Sequence, residues 1–321
     1  MKFLSLSLVA VALVLAGPAT AQNFPERPMI MVVPWPAGGT ADVSARAHAK
    51  AMAANLGQPI VIDNKPGAGG IVGASYVANQ KPDGYTMFYG SDLAMVAYPF
   101  VTKNTLYVPD KAFAPVHAIS TTPFMIAVRS NASFKTLPEL IDHARKNPGR
   151  VTYYSVGQGS AHQLLMELLS KEAGVTMTPV PYKGGPQALQ DFLGGQIDVM
   201  LDYQSGLAPH EASGKAKVIA VASSQRLAGM PHVPTFVEQG YKSVVLGPFA
   251  VIAVPAGTPR PVIDKLSAAL ALAQKEPELL KFNSERGSLT LPYGPEETRA
   301  FLDQRRVMSK QLLDAVGIKP E

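Results

Sequence analysis

The residues with usable chemistry lie where apolar runs give way to helical patterns. The first such point is "WPAGGTAD", in which Gly38 and Gly39 precede Thr40 and Asp42. The second is "YYSVGQGSAH", where Gly157 and Gly159 lead to Ser160 and His162. The third is "VMLDYQSG", where Asp202 and Tyr203 end an apolar run. Glycine lets a ligand approach the backbone, and a helix start presents unpaired N–H groups at a partial positive end. The two glycine-rich junctions are therefore acceptors for a small anion, a carboxylate or a phosphate. None of the three carries Arg or Lys at its tip, so anion recognition would fall to backbone N–H groups and helix ends. Plainer alternatives stand beside these readings. The glycines can serve turn geometry alone, Asp42 can cap its helix and pair with Arg46 four residues on, and Asp202 can be a strand-end turn residue.

Enzyme chemistry finds less support. Ser160 and His162 are two apart, and residues i and i+2 at a helix start diverge, so they do not form a nucleophile and base. No G-x-S-x-G elbow occurs. The six His residues are scattered without metal-ligand spacing, so no metal is expected. "GAGGIVG", Gly67 to Gly73, approaches a dinucleotide fingerprint, but its last glycines are one residue too far apart and it does not emerge from the first strand. A nucleotide-dependent oxidoreductase is accordingly the weaker alternative, and no cofactor is expected.

The elements that must position these junctions form an α/β pattern. Short apolar runs alternate with helical stretches, which predicts βαβ units. Strands are predicted at Met29–Trp35, Pro59–Asn64, Tyr85–Gly90, Phe124–Arg129, Val151–Val156, Met177–Tyr182, Ile197–Tyr203, Lys217–Ser223 and Phe249–Pro255. Thr136 with Glu139, and Ser160 with Gln163, read as helix caps. Thr258 reads as a cap with Pro259 opening the helix. Gly57, Gly149 and Gly174 read as terminators.

Composition narrows the class. Lys2, the apolar run to Ala16 and the site Ala19-Thr20-Ala21 read as a secretory signal, residues 1–21, cleaved after Ala21. No later apolar run reaches the roughly 20 residues a spanning helix needs. The chain has no cysteine, which excludes a disulfide framework and a thiolate site. A net charge of +5 without a basic run points away from nucleic acid. The remaining length suits two domains of about 150 residues each. No linker divides the halves, so the chain is expected to cross between lobes twice, near Ala118–Val128 and near Val245–Pro259.

Seven stretches in order, "RPMIMVVPWPAGGTAD", "VIDNKPGAGGIVGA", "KPDGYTMFYG", "YYSVGQGSAHQL", "VPYKGGPQALQDFLGGQIDVMLD", "MPHVPTFVEQGY" and "VPAGTP", resemble the substrate-binding proteins of tripartite tricarboxylate transporters, the Bug family. The resemblance spans nearly all of the mature chain. It implies a two-lobed periplasmic binding protein of α/β class, type II-like, each lobe a mixed, mostly parallel sheet flanked by helices. Domain 1 would comprise residues 22–122 and 246–321, and domain 2 residues 123–245. It implies a monomer that closes on a small carboxylate-bearing anion, such as a di- or tricarboxylate, an aromatic acid or an acidic amino acid, and passes it to a membrane permease. A receptor feeding a signalling partner is the alternative.

The resemblance also carries the site onto this chain. Ala37, Gly38 and Gly39, with Thr40, would hold a ligand carboxylate. Ser91, Asp92, Ser155, Gly157, Gly159, Ser160, His162, Asp202 and Tyr203 would line the cleft. Trp35, where the family usually shows Phe, would lie beside the ligand, core packing being its alternative. The "LDY" strand end, the lack of a Trp before Gly247, and Val108 and Ala112 in place of acidic residues also depart from the family pattern. These differences bear on the ligand and leave the class intact.

Overall fold

The computed structural model describes residues 24–321 except 158, 159, 183, 316, 318, 319 and 321. The expected signal at 1–21 and the expected site residue Gly159 lie outside the described residues. Two mixed sheets are present, each flanked by helices. The first runs β11-β4-β10-β3-β1-β2, with β1 Met29–Val33, β2 Ile60–Asn64, β3 Thr86–Gly90, β4 Phe113–Thr121, β10 Phe249–Pro255 and β11 Leu289–Thr290. The second runs β7-β6-β8-β5-β9, with β5 Met125–Arg129, β6 Thr152–Ser155, β7 Thr178–Pro181, β8 Val199–Asp202 and β9 Ala216–Val221. The helices used below are α1 Thr40–Leu56, α2 Ile71–Ala78, α3 Leu137–Lys146, α4 Ala161–Ala173, α5 Gly185–Gly194, α6 Gln204–Ala212, α7 Arg260–Ala273, α8 Pro277–Glu285 and α9 Pro295–Ala315.

Strand periodicity explains the first sheet. Met29, Met31 and Val33 face one way with Met87, Tyr89, Ile252 and Val254, and meet α1 and α7. Val32, Phe88, Val251 and Ala253 face the other way, towards Ile71 and Val77 of α2 and Leu302 of α9. Both faces are buried, which is why the strands read as unbroken apolar runs. The second sheet belongs to one large core that includes Phe124, Tyr153, Leu165, Phe192 and Phe236. Leu313, near the end of α9, packs into that second core although the helix begins against the first.

Among the named strands described, parallel pairing joins β1 with β2 and β3, and β6 with β7 and β8. The strands next to each crossing, β4, β10 and β5, run antiparallel to their neighbours. β4 was not among the predicted strands, because Pro115, His117 and Ser120 interrupt its apolar run. The structure satisfies the imidazole inside lobe 1: His117 Nδ1 lies 2.9 Å from Ser267 Oγ and Nε2 3.1 Å from Gln274 Oε1. The two-residue β11 was too short to register. The cap expected at Thr258 shifts by one residue. Its hydroxyl donates to Pro255 O, and Pro259 is the cap of α7.

The chain passes from β4 to β5 through Thr122, Pro123 and Phe124, and returns through the segment after β9. The two passages lie side by side: Thr122 N donates to Pro248 O at 3.0 Å and Thr121 Oγ1 to Gly247 O at 3.4 Å. A Cβ on Gly247 would sit 2.8 Å from Thr122 O, so glycine is what permits this approach. The carboxyl ends of β1, β3 and β4 and the start of β10 share one edge of the first sheet. The carboxyl ends of β6 and β8 and the start of β5 share one edge of the second. The short β4–β5 passage therefore brings these two edges face to face.

Candidate functional site

The loop after β1 is built around one acid. Gly38 has φ +79° and its N–H donates to Asp42 Oδ2 at 2.9 Å. Arg46 Nε donates to the same oxygen at 2.9 Å, and Asn64 Nδ2 reaches both Asp42 Oδ1 and Trp35 O at 2.9 Å. Burial pushes the Asp42 carboxyl up, but the hydrogen bonds from Arg46, Gly38 and Asn64 outweigh it and leave it below the usual range. Asp42 thus ties the loop to α1 from within the first turn and pairs with Arg46, the cap position being Gly39, and the Gly38 N–H is used inside the loop. The first bond within α1 runs from Val43 N to Gly39 O, so the amides of Thr40, Ala41 and Asp42 stand ahead of it at the helix mouth. Ala37, Gly38, Gly39 and Thr40 are exposed there. Trp35 is half-buried and packs with Ala41 and Ala47 against the α1 side of the core.

The glycines of "GAGGIVG" serve this loop from behind. A Cβ on Gly70 would meet Pro34 at 3.3 Å, and one on Gly73 would meet Lys65 O at 3.0 Å and Pro34 at 3.1 Å. They permit α2 to pack on the base of the loop, which accounts for them without a nucleotide.

Ser91 and Asp92 follow β3. Ser91 Oγ is buried with no hydrogen-bond partner among the described residues. Asp92, expected to line the cleft, has both oxygens engaged: Arg305 Nη2 donates to Oδ1 and Phe249 N to Oδ2, each at 2.8 Å. These bonds fix the end of β3 to α9 and β10.

Across the cleft, Ser155 ends β6. Its Oγ accepts from Gly157 N at 3.1 Å and lies 3.1 Å from Ser160 Oγ. Gly157 has φ +121°, and Ser160 caps α4 by accepting from Gln163 N at 3.4 Å. His162 sits between Phe124 and Tyr154, with ring centroids 4.5 and 4.7 Å away. Burial pulls its pKa down to about 3, so the ring is neutral at physiological pH, and its Nδ1 has no partner among the described residues.

Asp202 and Tyr203 end β8. Asp202 is half-buried and accepts the Tyr203 N–H at 2.8 Å through Oδ1. Burial raises its pKa to about 6. Tyr203 stacks on Phe124 at 5.2 Å and 10°. Burial, and then the neighbouring Asp202, Asp92, Tyr154 and Tyr89, push the phenol up and keep it a neutral donor. Tyr89 belongs to β3 and Asp92 follows it, whereas Asp202 and Tyr154 belong to the second sheet, so Tyr203 feels charge from both. Tyr89, Phe124, Tyr154 and Arg305 were missed at the sequence level. The first three lie inside apolar runs, and Arg305 is 213 positions from its partner.

Two cavities lie elsewhere in the chain. One of about 190 Å³ lies between the strand-end residues Phe113 and Pro115 and Arg299, Asp303 and Arg306 of α9. The other, of about 230 Å³, lies between α8, β11 and Leu227. No group of three or more potential metal ligands occurs among the described residues.

Comparison with known proteins places this arrangement. Residues 44–318 match the family model for the tripartite tricarboxylate transporter family receptor. The periplasmic binding protein BugD is 33% identical, with TM-score 0.82 over 93% of this chain and 100% of that one. A Rhodopseudomonas palustris protein solved with adipate is 28% identical, with TM-score 0.85 over 93% of this chain and 100% of that one. MatC of the same organism, solved with bound malate, is 31% identical, with TM-score 0.80 over 90% of this chain and 100% of that one.

Proposed function

The chain belongs to the tripartite tricarboxylate transporter receptor family, whose members are periplasmic solute-binding receptors and not enzymes, and from that premise we propose that it captures a small carboxylate-bearing organic anion between its lobes and delivers it to a membrane permease. The observation that carries the reading is that two helix mouths, α1 after Gly39 and α4 after Ser160, each follow the carboxyl end of a strand, β1 and β6, on the two edges that the β4–β5 passage joins. Helix-start amides favour an anion without a paired cation. Relatives solved with adipate and malate support a carboxylate as that anion. Residues 22–122 with 246–321 would form one lobe and 123–245 the other, after export through residues 1–21.

The test is thermal stability of the purified protein against dicarboxylates, tricarboxylates, aromatic acids and acidic amino acids. A true ligand at 100 times its Kd adds about 2.7 kcal/mol of stability. A panel without a single stabilising acid would remove the carboxylate reading.

A further inference from the structure

The acids around the cleft are not equivalent. Asp42 has Arg46 Nε at 2.9 Å, and Asp92 has Arg305 Nη2 at 2.8 Å. Asp202 has neither: among the described residues no Lys or Arg nitrogen lies within 4.0 Å of its oxygens. Among the described residues the Tyr203 N–H is the one hydrogen-bond donor to it, and that reaches Oδ1. The second oxygen is accommodated by the absence of a side chain, since a Cβ on Gly206 would lie 2.2 Å from Oδ2. The carboxylate is therefore seated by backbone and by space, at the sheet edge that faces lobe 1. Beside it, Phe124 carries the stacked Tyr203 ring and the neutral His162, whose Nδ1 lacks a partner. Among the described residues this floor is largely apolar and brings no Lys or Arg nitrogen within 4.0 Å of Asp202.

We infer that the ligand carries, besides the carboxylate met by lobe 1, an N–H or O–H group that donates a hydrogen bond to Asp202. Amino and hydroxy carboxylates are then bound in preference to their unsubstituted parents. The inference rests on the carboxylate reading above. A second ionised carboxylate placed against Asp202 would meet a like charge that no Lys or Arg among the described residues offsets, whereas an ammonium or hydroxyl donates to it.

The experiment is calorimetric titration at pH 7.5 of the whole receptor with two matched series: succinate, malate and aspartate, then glutarate, 2-hydroxyglutarate and glutamate. The substituted acid is expected to bind at least about tenfold tighter than its parent, as one charge-assisted hydrogen bond provides. The hydroxyl and amine arms show which donor fits. Asp202→Asn keeps an acceptor for the Tyr203 N–H and removes the charge, and should bring parent and amino acid to within about twofold. Gly206→Ala should act in the same direction by displacing the carboxylate, and guards against a folding defect in the first variant. Equal affinity for parent and substituted acids, or a preference that survives both substitutions, overturns the inference while leaving the carboxylate function standing. Binding by none of these six, with an unsubstituted aromatic or tricarboxylic acid bound instead, overturns the inference alone, and binding by no acid of the thermal panel overturns both.

Discussion

Arg305 and Asp92 are separated by 213 positions in the chain and by 2.8 Å in space. The same guanidinium nitrogen donates to Gly247 O at 2.8 Å, so one side chain of α9 holds the end of β3 and the returning passage together. Only 12% of the Arg305 side chain and 20% of Asp92 are exposed. Burial raises the Asp92 carboxyl more than Arg305 lowers it, so the acid depends on its partner to remain charged.

Arg305→Ala would leave that acid buried without a cation, and is expected to destabilise the protein by about 3 kcal/mol. Arg305→Lys restores charge without the fork and should recover part of the loss. Urea denaturation of the three proteins measures this. An alanine variant as stable as wild type would show that the pair is an incidental surface contact.

Gly38 has φ +79°, and a Cβ there would meet nothing within 4 Å. Gly38→Ala therefore tests backbone conformation without a clash. The expected loss of stability is about 1 kcal/mol, with a larger loss of ligand affinity because the loop before the α1 amides shifts. Parallel thermal melts and titrations separate the two effects, and unchanged affinity would take the loop out of the site.

Asp202 makes a prediction about pH. Its pKa is about 6 in the fold, above the ordinary carboxyl value, so the folded protein holds the proton more firmly than the unfolded chain. Stability from this group is present in full below pH 4 and is lost as pH rises through about 6, by at most about 3 kcal/mol. Ligand-free Asp202→Asn should be more stable than wild type at pH 7.5, and the difference should vanish near pH 4. His48 and His162, whose pKa values burial lowers to about 4 and about 3, act oppositely as acid is added. They are common to both proteins, so the difference between the melting curves isolates Asp202. A gap that is constant with pH would contradict the assignment.

Trp35 is the chain's single tryptophan, half-buried at the base of the first loop. Ligand binding at the α1 mouth should change its emission in a saturable way, and Trp35→Phe should abolish the signal while preserving binding within about tenfold, because the ring fills core space that Phe partly refills. Full binding with silent fluorescence would place the ligand away from this loop.

How far the sequence could be read depended on whether a feature was local. β10 was predicted with its observed ends, and the caps at Thr136 and Ser160 form as their spacing implied. Gly57 and Gly174 end their helices in left-handed conformations. β4 stayed hidden because its polar residues are satisfied by α7, more than a hundred positions away. At the site, Asp42 offered two local readings, cap or ligand, and the structure gives it another role, holding Gly38 and Asn64 from within the first turn of a helix whose cap is Gly39. Asp92 looked like its neighbour Ser91, and only Arg305 distinguishes them. The aromatic floor of Phe124, Tyr154 and Tyr203 comes from three strand ends that become neighbours only in the assembled sheet.

The paired passages at Thr121–Thr122 and Gly247–Pro248 bear on mechanics. Two separate tethers would let the lobes twist, slide and tilt independently. Joined by the Thr122 N–Pro248 O and Thr121 Oγ1–Gly247 O hydrogen bonds, the two passages form one strap, and α9, with Leu302 in the first core and Leu313 in the second, adds a further link between the lobes. A change at one passage is therefore felt at the other, and a substitution at Gly247 would disturb both at once.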